Sequence, residues 1–160
     1  MWYKNINKKR LCSLISICET HSKRLKASLS FLKELLPLSV DKYKALTEHE
    51  LAYIDQMSYR YGKLQETMGK LLRTLLITLE EDVKSSPFID VLNTAEKTGI
   101  IDSAQEWIML RELRNILTHE YSEKVDDIIE GINKLYEISH RLLKIYEELL
   151  NYINNKKVLE

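Results

Sequence analysis

From Glu48 to Val83 the chain has no proline, and its apolar residues return at the period of an α-helix: Leu51, Ile54, Met57, Tyr61, Leu64, Met68, Leu71, Leu72, Leu75, Ile77 and Leu79. A stripe that long constrains everything around it, because the face must be covered by other elements. Thr47 and Glu50 stand three apart at its start, the spacing of a capping box. Gly62 and Gly69 are seven apart and fall on nearly the same face. Glycine weakens a helix by about 1 kcal/mol relative to alanine. Two on one face suit the close approach of another helix; room for a ligand is the other use of such a gap. Tyr59 and Tyr61 fall on opposite sides, so at least one reaches a surface or groove.

The remaining segments supply helices to cover it, and no strand-like run competes. A first helix spans roughly Lys9 to Leu36, with Leu11, Leu14, Ile15, Cys18, Leu25, Leu29, Leu32 and Leu36 in helical rhythm, and Pro37 ends it. His21 lies near that face and reads as partly buried. A connection follows, with a helical turn at Tyr43 to Leu46. Ser86 and Pro87 read as N-cap and first residue of a short helix, Phe88 to Lys97, which Gly99 closes. The next helix opens near Ile101-Asp-Ser103, with Ser103 and Glu106 as a second capping box, and buries Trp107, Leu110, Leu113 and Leu117. After a turn at Ser122-Glu-Lys, the last helix runs from about Val125 to Ile153 on a stripe of Ile128, Ile129, Ile132, Leu135, Ile138, Leu142, Ile145, Leu149 and Ile153, and Asn154-Asn-Lys-Lys frays. The expected architecture is all-α, an antiparallel bundle of four main helices plus one short helix, with residues 1–160 as a single domain. Four Gly and two Pro in the whole chain agree with long helices.

Net charge is zero, so no global field draws the protein to nucleic acid or to an anionic membrane. The distribution is uneven. Residues 1–45 hold ten Lys/Arg against three acids, a balance of +7 that the remainder offsets with −7. Cys12 and Cys18 are too few for a disulfide framework and read as buried, reduced thiols. No apolar run reaches membrane-spanning length, and the N-terminal Leu11–Cys18 run lacks a cleavage site, so a cytoplasmic protein with no membrane contact is expected. His21, His49, His119 and His140 form no metal-binding pair, and Glu137 with His140 is a lone Glu-x-x-His. No phosphate loop, nucleophile elbow or dinucleotide fingerprint occurs. Neither metal nor cofactor is expected.

What packing does not require lies in Arg111-Glu-Leu-Arg-Asn-Ile-Leu-Thr-His-Glu-Tyr121: the side chains of Arg114, Asn115, His119 and Tyr121. A histidine with a pKa near neutrality can take the ribose 2′-OH proton or protonate a leaving oxygen. A guanidinium can clamp the phosphate, and Asn115 can orient the imidazole or hold a phosphate oxygen. Five residues on a helix are about 500°, which turns Arg114 and His119 roughly 140° apart, whereas Arg114 and Tyr121 share a face. A site using both Arg114 and His119 needs the helix to end near Thr118, or a second protomer across a two-fold axis. Read as ordinary structure, the same residues are an Arg paired with a carboxylate, a His favourable at a helix C-terminus, and a Tyr packed on the last helix. Glu106, Glu112, Glu120, Glu123, Asp126 and Asp127 outnumber Arg111, Arg114 and Lys124 around the motif, so an RNA groove there needs the basic N-terminal helix to line it.

Arg114, His119 and Tyr121 form an Arg-x4-His-x-Tyr pattern that resembles the motif of the HEPN family, in particular the HepT-type toxins encoded beside minimal nucleotidyltransferase antitoxins. The resemblance is strongest from Trp107 to Tyr121, with a weaker echo in Tyr59-Arg-Tyr-Gly-Lys-Leu-Gln-Glu-Thr-Met-Gly69. It implies a HEPN-like domain acting as a metal-independent endoribonuclease toxin, with His119 as acid/base and Arg114 on the phosphate. It further implies a homodimer, a cognate nucleotidyltransferase antitoxin, an RNA substrate cut to a 2′,3′-cyclic phosphate, and Tyr121 as acceptor of AMP. Two alternatives stand beside it. One is a non-catalytic helical partner that binds a nucleotide or substrate for a separate nucleotidyltransferase; the other is a helical interaction protein whose Arg and His are structural.

Overall fold

The computed structural model describes residues 2–119 and 124–160, and of residues 116–119 the backbone alone. The described residues form six helices and no strand: α1 (Trp2–Leu32), α2 (Val40–Lys44), α3 (Glu48–Thr78), α4 (Phe88–Lys97), α5 (Ala104–His119) and α6 (Val125–Asn155). The chain is therefore all-α, with α2 as a separate short helix where only a turn was expected. Ser39 caps α2, its hydroxyl accepting from the Lys42 amide.

The capping box that opens α3 is present in both directions: Thr47 Oγ1 accepts from the Glu50 amide, and Glu50 Oε2 accepts from the Thr47 amide, each at 3.1 Å. From there Ile54, Met57, Tyr61, Leu64, Met68, Leu71, Leu72, Leu75 and Leu76 are buried. α1 lies antiparallel along α3, since Lys4 pairs with Glu80, His21 with Arg60, and Ser28 with Gln56. Burial, then Arg60 and Lys63, hold the His21 imidazole below its ordinary pKa, which suits its ring nitrogen 3.0 Å from the Arg60 guanidinium. Tyr146 of α6 donates to Glu19 of α1 at 2.6 Å, and Asn133 of α6 bonds both the amide and the carbonyl of Leu38.

α5 is held at its start from two sides. Ser103 Oγ accepts from the Glu106 amide, and Glu96 of α4 accepts from the Ala104 amide at 2.6 Å. The Glu106 carboxylate does not close the expected capping box. It crosses to α6 instead, where Arg141 grips it through Nε at 3.1 Å to both oxygens and through Nη2 at 2.6 Å. A two-pronged ion pair between helices is geometrically more demanding than a local cap and fixes their spacing. Trp107 and Leu110 are buried, and Leu113 packs half-buried against the core. Leu117 lies outside the side chains described.

Several boundaries differ from the sequence reading. α1 starts at Trp2 rather than near Lys9 and ends at Leu32. α3 stops at Thr78, short of Val83, because Glu80 turns left-handed (φ 67°) and the amides of Glu80 and Glu81 bond back to Ile77 and Leu76. α4 opens with Pro87 as N-cap, one residue later than expected, and ends at Gly99 (φ 78°) with the same pair of backward bonds. The end of α6 is closed in that way too, at Lys157 (φ 52°), and Val158 is buried beyond it, so the terminus is capped instead of frayed. These are Schellman closures, one on glycine and two on residues that carry a Cβ.

The two cysteines part company. Cys18 is buried and faces the core with Leu11, Leu14 and Leu25, and burial pushes its thiol up to about 12. Cys12 is exposed, because six residues on a helix turn it about 120° from Cys18, off the buried stripe. A thiol reagent should therefore label one cysteine rapidly in the native protein and the second only on denaturation, with Cys12→Ser abolishing the fast phase. Two fast thiols in the folded protein would contradict this packing.

Candidate functional site

The second turn of α5 is anchored by Tyr61, a fully buried residue whose hydroxyl donates to the Leu110 carbonyl at 3.0 Å. Burial raises that phenol well above its usual range, so it stays a neutral donor. Arg114 follows one turn on. Its methylenes lie over Gly62, where an added Cβ would stand 3.6 Å from Arg114 Cδ. Asn115 Oδ1 accepts from its Nε and Nη2 at 3.2 and 2.9 Å. Asn115 thus positions the arginine, a use distinct from orienting the imidazole. The two glycines of α3 accommodate side chains, not a helix backbone: Gly62 takes Arg114, and Gly69 takes the Phe88 ring, whose Cζ would lie 3.3 Å from an added Cβ.

Arg114 forms part of the wall of a groove of about 910 Å³ between the start of α1, the middle of α3, the 79–87 loop and α5. Among the described residues, Arg10, Lys70, Arg73, Lys84, Arg111 and Arg114 line it against one carboxylate, Glu66. A hydrogen bond from Lys70 holds the Glu66 carboxyl below its ordinary pKa, with Lys63 and Arg114 adding to the effect. Arg73 is fixed by donating to the Val83 and Ser86 carbonyls at 2.7 Å, which folds the loop over α3 and brings Lys84 to the rim. Arg111 lies over the Phe88 ring, 5.4 Å from its centroid. Beyond Arg114 and Glu66 a second hollow of about 430 Å³ holds Asp55, Ser58, Tyr59, Gly62 and Lys63. Tyr59 is exposed there and Tyr61 is buried, the opposition that their spacing predicts.

Of the residues singled out from sequence, the structure brings Arg114 and Asn115 into contact. α5 carries helical backbone through His119, but the His119 side chain and all of Tyr121 lie outside the described residues. The basic N-terminal segment contributes Arg10 to the groove, and the other cations come from α3, the loop and α5. Of those five only Arg114 belongs to the motif, and Lys70, Arg73 and Lys84 lie in the part of the chain whose net charge is negative, so nothing in the sequence pointed to them. Among the described residues, no three His, Cys, Asp or Glu side chains gather as a metal site, and no helix is long and apolar enough to cross a membrane. A scan against protein-family models, a search of curated proteins and a search of solved structures each found no match for this chain.

Gly62→Ala should be tolerated and stabilising by about 0.5–1 kcal/mol, since the new methyl meets Arg114 at ordinary contact distance and helix propensity improves. Gly69→Ala should gain less, because the Phe88 ring must give way. Urea denaturation of the two variants checks the order, and a strongly destabilised Gly62→Ala would mean that Arg114 packs elsewhere.

Proposed function

We propose that this chain is a cytoplasmic HEPN-type endoribonuclease, the metal-independent toxin of a toxin–antitoxin pair, built as a homodimer on an antiparallel bundle of its four longer helices. The observation that supports this reading is the groove where, among the described residues, six cations stand against one carboxylate and whose wall includes Arg114. A field of that sign attracts a phosphodiester backbone, and it answers the acidic character of the sequence around the motif.

In this reading Arg114, held by Asn115, clamps a non-bridging oxygen of the scissile phosphate. The ribose 2′-oxygen attacks phosphorus as His119 takes its proton, and the bond to the 5′-oxygen breaks with protonation of the leaving group. The products are a 2′,3′-cyclic phosphate and a 5′-hydroxyl. Arg114 and His119 lie five positions apart on continuous helical backbone, a divergence of roughly 140°. Two copies of α5 across a two-fold axis supply the arginine of one protomer and the histidine of the other, and two histidines divide the base and acid roles.

Arg114→Ala and His119→Ala should each lower RNA cleavage by about a hundredfold or more, with unchanged far-UV circular dichroism and loss of growth arrest on expression. EDTA should leave the wild-type rate unchanged. Cleavage that survives His119→Ala removes the acid–base role, and loss of activity in EDTA points to a metal.

Tyr121 is the proposed site at which a partner nucleotidyltransferase adds AMP. Each addition brings a phosphate charge and a nucleoside to the face of α5 that carries Arg114, where the new phosphate competes with the RNA backbone. Intact mass of protein co-expressed with a neighbouring nucleotidyltransferase should show AMP increments that vanish in Tyr121→Phe. An unmodified mass beside an active partner leaves Tyr121 with a structural role.

A further inference from the structure

α5 leaves the core just before it reaches Arg114. Leu110 is 2% exposed and is the last buried side chain of α5 among those described. After it, Arg111, Glu112 and Asn115 are exposed, and Leu113 and Arg114 are half-buried. A group that stabilises charge in a transition state works only from a fixed position, and at the edge of the packed interior that position needs its own support. The Tyr61 hydroxyl supplies support at this point. It donates to the Leu110 carbonyl, and in a regular helix that carbonyl is also the acceptor for the amide of Arg114. A carbonyl oxygen has two lone pairs, so it can serve both donors. The bond therefore ties α3 to the peptide group that closes the turn bearing Arg114. Tyr61 is fully buried, and phenylalanine would fill the same space with no hydroxyl to satisfy. Its neighbour Gly62 lies under the Arg114 methylenes, and Asn115 accepts from Nε and Nη2 of the guanidinium. Burial raises the phenol pKa and the Arg114 charge opposes that rise, a mark of how near the guanidinium and the hydroxyl stand.

We propose that Tyr61 is a positioning residue: through the Leu110 carbonyl its hydroxyl fixes the turn of α5 that carries Arg114, and so sets where the guanidinium stands. Tyr61 touches neither substrate nor reacting atom. Two adjacent residues of α3 divide the task, the hydroxyl of Tyr61 holding the backbone of that turn and Gly62 leaving room for the side chain that rises from it. Asn115 then orients the head group. Arg114 is thereby placed before any phosphate arrives, which is the condition for electrostatic stabilisation without reorganisation during the reaction. This deepens the ribonuclease reading, on which the effect on rate rests, but the placement itself can be measured without cleavage.

The test is Tyr61→Phe in the full chain, with Tyr146→Phe as its control. Tyr146 is 3% exposed and donates to Glu19 at 2.6 Å, so the control removes another buried tyrosine hydroxyl bond, one between α6 and α1. Steady-state cleavage of an RNA oligomer should show kcat about tenfold lower in Tyr61→Phe, with KM within about twofold of wild type. The same change made in Arg114→Ala should take nothing further from the residual rate, because a hydroxyl that acts through Arg114 has nothing left to place. Tyr146→Phe should cleave at the wild-type rate. Independently of activity, the Arg114 Nε–H resonance, assigned by its absence in Arg114→Lys, should exchange with solvent about fivefold faster or more in Tyr61→Phe. In Tyr146→Phe it should exchange as in wild type. Wild-type kcat or wild-type exchange in Tyr61→Phe overturns the proposal. So does an equal loss of rate in Tyr146→Phe, which marks both as general losses of stability. A further loss in the Arg114→Ala background overturns it too, because the hydroxyl then acts elsewhere. A Tyr61→Phe chain that does not fold does the same, since the bond is then structural. If the wild type never cleaves RNA, the ribonuclease reading falls and the exchange rates alone decide: faster exchange in Tyr61→Phe only supports the positioning role, and equal exchange in all three proteins overturns it.

Discussion

Along α3, buried residues come in adjacent pairs: Leu64 with Gln65, Leu71 with Leu72, Leu75 with Leu76. Adjacent positions on a helix differ by 100°, so burying both requires cover across a wide arc that a single neighbour cannot supply. α1 takes one side, while α4, α5 and α6 take others. Every functional feature depends on that central position. Tyr61 on α3 bonds the backbone of α5, Gly62 receives Arg114, Gly69 receives Phe88, and Arg73 folds the loop that carries Lys84. Burying the long stripe of α3 sets the place of each groove cation as a by-product of packing.

The groove is also an electrostatic consequence of chain topology. The protein is neutral as a whole, and near Arg114 in sequence acids outnumber bases. Folding gathers positions 10, 70, 73, 84, 111 and 114 around one hollow and, among the described residues, leaves a single carboxylate there, already paired with Lys70. Like charges at such proximity repel, and several of them are held by local partners: Arg73 by loop carbonyls, Arg111 by the Phe88 ring, Lys70 by Glu66 and Arg114 by Asn115. The repulsion that remains is what an anionic ligand would relieve.

The sequence carried the periodic part of this fold openly. The stripe of α3, its capping box, the stop at Gly99, and the burial of Trp107 and Leu110 all follow from spacing. Helix ends followed less well where a residue with a Cβ adopts the left-handed closing turn, as Glu80 and Lys157 do, because no residue type announces it. Cys12 was misjudged by its apolar neighbours, although its angular position on α1 separates it from Cys18. The Glu106 cap gave way to a distant arginine, a competition visible only once α6 is in place. At the site, Arg114 and Asn115 were legible as residues packing did not need. The other cations were not, since their meaning lies in spatial company between residues far apart in the chain.

The two tryptophans occupy opposite extremes, Trp2 at 73% exposure and Trp107 at 5%. The indole of Trp107 shares its small apolar cavity with Gln65, on the inner side of the groove wall. Its emission belongs at the blue end of the spectrum, and that of Trp2 at the red end, so a single scan separates the two environments. The molecule thereby carries its own optical probe behind the groove: a change in how the Gln65 amide sits alters the field around an indole that is almost wholly buried. With Trp2 replaced by phenylalanine, the remaining signal would come from the back of the groove alone.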